Sequence, residues 1–139
     1  MTEWRKIEGG ITAPKGYRSA GIAAGLKPSG LPDLALIVSD VDAIAAGVFT
    51  TNQVKAACVQ YCQDRLQIKP TARAILCNAG QANASTGAQG MIDALESAQF
   101  LAQSLNIASD TILLASTGVI GQRIKLDALK AGIPKLVAD

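Results

Sequence analysis

Short apolar runs separated by a single long helical repeat restrict this chain more than any other feature of it. Asp33-Leu-Ala-Leu-Ile-Val-Ser-Asp40, Ala72–Asn78 and Thr111–Ser116 are short and rich in Ala, Val, Ile and Leu, which suits buried strands. Between the last two, Met91, Leu95, Ala98, Ala102 and Leu105 repeat at helical spacing and predict one apolar helix face. Thr86 followed by Gln89 fits a capping box at its start. The helix is expected to end near Leu105 or Asn106. Aromatic residues make up only 4% of a chain that is 49% hydrophobic. That favours alternating strands and helices over a β-sandwich with aromatic fillers. At 139 residues the chain is read as one domain, residues 1–139.

The remaining segments are predicted from punctuation. Residues 9–32 are rich in Gly and Pro, with a short strand in Tyr17–Gly25 and a turn in Lys27–Asp33. After Asp33–Asp40, a turn near Asp40–Asp42 leads into a second strand, Ala45–Thr50, and consecutive antiparallel pairing is expected. Val54–Gln67 has helical spacing at Val59, Cys62 and Leu66, although Lys55–Val59 could also be extended. Lys125–Ala131 is expected to be a helix capped by Gly132, with Pro134 opening another. A chain stopping inside a new helix is expected to be truncated or processed.

Composition narrows the chemistry. The chain has no histidine, so Ser-His-Asp and Cys-His catalysis and His-ligated metal are excluded within it. Net charge is +2, without a basic run or stripe, which argues against nucleic-acid binding. Cys58, Cys62 and Cys77 lack a fourth partner for zinc and read as free core thiols in a reducing compartment. No metal or cofactor is expected. Met1–Glu8 is charged and lacks the apolar core of a signal peptide. No apolar run approaches a membrane span, so the cytoplasm is the expected location.

Three segments could carry chemistry. Ser116-Thr117-Gly118 ends a predicted strand, and a Thr hydroxyl beside a glycine amide offers two donors toward one point. An ordinary turn is the plainer reading. Asn78-Ala-Gly-Gln-Ala-Asn83 precedes the predicted helix, where backbone amides could meet an anion, or it is simply a polar connection. Lys55 could pair with a substrate carboxylate or with Asp40 or Asp42, or stand in solvent.

Taken together, Gly10–Lys27, Ala45–Ala57, Ile75–Gly87 and Ala115–Gly121 resemble, in order and spacing, the ornithine acetyltransferase family, also called bifunctional glutamate N-acetyltransferase. The resemblance runs from about Ile7 to the end. It implies an α/β fold, a layered sandwich of sheets and helices of the DmpA/ArgJ-like type, completed by a second (β) chain. It implies that this chain is the N-terminal part of an α subunit. The precursor would cut itself, and the new N-terminal Thr of the β chain would carry acetyl from N2-acetylornithine to glutamate. Acetyl-CoA is left open as a further donor. Thr117 and Gly118 match the family's oxyanion-hole pair, through hydroxyl and backbone amide respectively. The family's Ala-Thr-Met-Leu cleavage segment does not occur here, so the chain would supply half of a site. A dimer of αβ units is implied as the assembly. Two alternatives stay open: an N-terminal-nucleophile amidohydrolase or aminopeptidase of the same fold, and a non-catalytic interaction domain.

Overall fold

A computed structural model describes residues 3–139; Met1 and Thr2, at the start of the charged N-terminal stretch, lie outside the described residues. Residues 3–16 are exposed and form no helix or strand. The elements that follow are β1 (Tyr17–Ile22), β2 (Leu34–Ile44), α1 (Ala57–Ile68), β3 (Thr71–Gln81), α2 (Gly87–Leu105), β4 (Ile112–Val119) and α3 (Leu126–Ala138). The strands form one sheet in the order β1-β2-β3-β4. The β1–β2 and β2–β3 pairs are antiparallel, and β3–β4 is parallel. The parallel pair needs a crossover, which α2 supplies.

Strand alternation sorts the sheet into two unlike faces. Leu34, Leu36, Val38, Ala74, Leu76 and Ile112 are buried with residues of all three helices, among them Cys62, Leu101, Ile133 and Leu136. Leu101, Ile112 and Ile133 are wholly buried, each contributing about 1.5–3 kcal/mol relative to exposure. The alternate residues, Ala35, Ile37, Ile75 and Cys77, are only half-buried on the opposite face. No helix is long and apolar enough to cross a membrane among the described residues.

Several local expectations are corrected. The strand expected over Asp33–Asp40 continues to Ile44, so there is no turn at Asp40–Asp42. A register shift between Val38 and Ala43 absorbs the irregularity as a bulge. Ala45–Thr50 is not a strand. The ambiguous stretch resolves into α1, whose buried face holds Cys58, Tyr61 and Cys62. All three cysteines are free, and Cys77 is half-buried on the helix-free face.

In α2 the buried face is Gly90, Asp93, Ala94, Ser97, Ala98, Leu101 and Ala102, while Leu95 is 52% exposed. The predicted stripe is therefore rotated toward small residues, which let the helix lie close to its neighbours. The capping box is not formed. Thr86 Oγ1 donates to Asn83 Oδ1 at 2.8 Å instead of taking the helix amide. The far end does stop at Asn106, left-handed at φ 53°, with Ile107 N–H donating to Ala102 O at 3.0 Å.

Gly132 does not end a helix. α3 runs through it and through Pro134, because Ile133 and Leu136 on either side of Pro134 both bury. Gly132 itself sits where an added Cβ would lie 2.8 Å from the Ala24 Cβ and 3.1 Å from Leu34. Its bareness sets how closely α3 approaches the sheet.

Candidate active site

Thr117 and Gly118 lie within the last residues of β4 rather than beyond it. Thr117 pairs with Ala79 and Gly118 with Gly80 across the parallel ladder. Alternation puts Thr117 on the helix-free face, and both residues are exposed. Thr117 lines an open depression of about 190 Å³ with Gly21, Asp33, Ala35, Cys77 and Ala79. Gly118 does not line it; its Cα side is pressed against the Gly80 carbonyl.

The far wall belongs to the β1–β2 connection, which Asp33 organises. Its carboxylate accepts the Ala24 and Lys27 amides, each at 2.7 Å. Burial pushes this carboxyl up, but the amides of Lys27, Ala24 and Leu26 and the Lys27 charge outweigh it, leaving it below its ordinary range. Asp33 O also accepts the Ala79 amide at 2.8 Å, tying the connection to β3 beside Thr117. Gln81 Nε2 holds Leu26 O at 3.0 Å from the same strand end.

Beneath Thr117, on the core face, Ser116 Oγ donates to Asn78 Oδ1 at 2.6 Å, and Asn78 Nδ2 donates to Gln81 O at 3.1 Å. Asn83 Nδ2 donates to Gly90 O at 2.9 Å. Asn78–Gln81 are therefore not a connection but the last residues of β3, and the side-chain amides of Asn78, Gln81 and Asn83 are buried and donate to backbone carbonyls. The α2 N-terminus does face open space. Thr86 and Gly87 line a depression of about 640 Å³ together with Lys55. Lys55 pairs with neither Asp40 nor Asp42: its ammonium donates to Gln63 Oε1 at 3.2 Å, and Asp40 is taken by Arg18 at 3.3 Å.

Burial pushes the Cys77 thiol up, which keeps it protonated beside Thr117. Among the described residues, no group of three or more His, Cys, Asp or Glu is arranged to hold a metal.

Two residues contribute in ways that their sequence positions do not specify. Gly80, where an added Cβ would lie 3.0 Å from the Leu26 carbonyl oxygen, looks in the sequence like any glycine in a polar connection. Asp93, wholly buried, is held by Arg123 at 2.7 and 3.0 Å. Its position between Gly90 and Ala94, on the small-residue face of α2, is the sequence signal for its burial.

Comparison with known proteins agrees with this architecture. Residues 18–139 match the model of the ArgJ family. The chain is similar to the arginine biosynthesis bifunctional protein ArgJ 1 of Nostoc sp., at 76% identity over 99% of this chain and 33% of that protein. It is 68% identical to the ArgJ protein of Synechocystis sp., again over 99% of this chain and 33% of the relative. The chain therefore spans about a third of the length of the curated relatives it matches. Among solved structures, the ornithine acetyltransferase of Mycobacterium tuberculosis, complexed with ornithine, superposes with a TM-score of 0.90 at 43% identity, over 94% of this chain and 70% of that one. The ArgJ protein of Bacillus halodurans gives 0.87 at 35% identity, over 91% and 66%. The chain belongs to the ArgJ family.

Proposed function

We propose that this chain is the N-terminal part of the α subunit of an ornithine acetyltransferase, moving acetyl from N2-acetylornithine to glutamate in the cytoplasm. The observation that carries the reading is the position of Thr117: exposed, on the sheet face that no helix among the described residues covers, and lining the depression between β4 and the β1–β2 connection. A hydroxyl placed there is open to a companion polypeptide. The M. tuberculosis relative, solved with ornithine, supports the substrate class. The word bifunctional in the cyanobacterial relatives' names supports a second reaction, for which acetyl-CoA is the proposed alternative donor.

The chemistry needs no histidine. The N-terminal threonine of a self-cleaved β chain uses its own α-amine, with a pKa of roughly 7.7–8.0, as base. Its Oγ attacks the acetyl carbonyl of N-acetylornithine. The carbonyl oxygen becomes an oxyanion that accepts from the Thr117 hydroxyl and the Gly118 amide. The C–N bond then breaks, ornithine leaves with the proton held by the α-amine, and acetyl remains as a threonine ester. Attack by the glutamate amine repeats the oxyanion and frees the threonine. Each donor contributes about 2.7–4 kcal/mol to a transition state of this kind.

The test is acetyl transfer by the complete precursor, with and without glutamate. Acetylglutamate is expected only when glutamate is present, and intact masses should show two polypeptides in an assembly of two αβ units. Thr117→Ala should lower kcat by about a hundredfold or more with little change in KM. An unchanged kcat removes Thr117 from the mechanism. Release of free acetate without acetylglutamate points to the hydrolase alternative.

A further inference from the structure

Five residues beyond Gly118, the chain is anchored by an ion pair with an unusual division of exposure. Asp93 on α2 is 0% exposed, while the Arg123 side chain is 57% exposed. Arg123 Nε donates to Asp93 Oδ2 at 3.0 Å and Nη2 to Oδ1 at 2.7 Å, a two-pronged fork. Gln89 Nε2 adds a third donor at 3.1 Å. Between Gly118 and this fork, the exposed segment Val119–Gln122 is fixed by two backbone bonds: Ala82 N–H to Val119 O at 3.0 Å, and Gly121 N–H to Ala84 O at 2.8 Å. Ile124, immediately after Arg123, is buried.

A carboxylate fully removed from water is costly unless its partners are held in place. Here the partner reaches it from solvent, and the gain is positional. A slide of the β4 end along α2 would break both prongs together. We propose that the Arg123–Asp93 fork is a positioning device for the oxyanion donors: it fixes the exit of β4 against α2 and so holds Thr117 and Gly118 in register with Ala79 and Gly80. This rests on the proposed acetyl-transfer function. Arg123 touches no reacting atom in this account and acts through the strand end.

The test uses the complete, processed enzyme with Arg123→Ala, Arg123→Lys and Thr117→Ala. Lysine keeps the charge but cannot form the fork. Arg123→Ala should lose about tenfold in kcat, because small misplacements of donors are expensive, while KM stays within about twofold. Since the pocket left by Arg123 opens to solvent, millimolar guanidinium should restore much of that turnover. It should do nothing for wild type or Thr117→Ala. Arg123→Lys should be slower than wild type and decides the matter if the alanine variant does not fold. Wild-type kcat in both variants, a loss confined to Tm, or a loss that guanidinium leaves untouched overturns the positioning role while leaving the function standing. A wild-type protein without acetyl transfer overturns the function, and the role with it.

Discussion

Gly118 and Gly80 face one another across the parallel β3–β4 ladder so closely that a Cβ on Gly118 would overlap the Gly80 carbonyl and lie 2.8 Å from the Gln81 amide nitrogen. Both have positive φ, 129° and 125°, which a side chain disfavours. Gly118→Ala in the complete enzyme therefore meets both strain and collision. It should cost at least about 1–3 kcal/mol in stability from backbone strain alone. Acetyl transfer should fall by about a hundredfold or more as the donor amide shifts. Thermal unfolding and steady-state kinetics read the two effects; a variant with wild-type kcat would mean that this amide does not serve the reaction.

Thr117 separates hydroxyl chemistry from packing. Because it is exposed, neither Thr117→Ser nor Thr117→Val should change Tm by more than a few degrees. Serine should retain kcat within about tenfold, whereas valine, of the same shape without the donor, should lose about a hundredfold. Equal kcat in the two variants would assign Thr117 a steric role only.

Asp33 is expected to be a structural acid with a directional pH dependence. Its folded pKa is lowered from 3.8, and that of Asp93 is lowered too. At Asp93, burial pushes the carboxyl up, and hydrogen bonds from Arg123 and Gln89 with the Arg123 and Lys130 charges outweigh it. For depressed carboxyls, the stabilisation is present above the unfolded pKa and is lost as pH falls through the folded one. Tm should thus be flat in these terms near neutrality and decline below about pH 4. Asp33→Ala should cost about 1–3 kcal/mol for each amide left unpaired. Asp33→Asn should weaken the acid limb, which denaturation across pH measures.

Gly132→Ala tests the close approach of α3. A methyl group there meets Ala24 at 2.8 Å and Leu34 at 3.1 Å, so overpacking should cost about 1–3 kcal/mol. Helix propensity alone would predict a gain of about 0.8–1.0 kcal/mol. The sign of the change in Tm therefore decides which effect wins.

The apolar runs that became β2, β3 and β4, the long helix α2 and its stop at Asn106 were legible in the chain because strand and helix periodicities are local. So was the proximity of Thr117 to a glycine. Residues distant in sequence decided the rest. The rotation of α2 that exposes Leu95 and buries Asp93 depends on Arg123, thirty positions later. The passage of α3 through Gly132 and Pro134 depends on the burial of Ile133 and Leu136, with Gly132 bare against Ala24 and Leu34. The extension of β2 past Asp40 depends on β3, which takes up Ala43 and Ile44 beyond the bulge. Local preference sets which elements can form, at a few tenths of a kcal/mol to about 1 kcal/mol per residue. Burial and the satisfaction of buried polar groups, worth more per residue, choose the face each one turns inward.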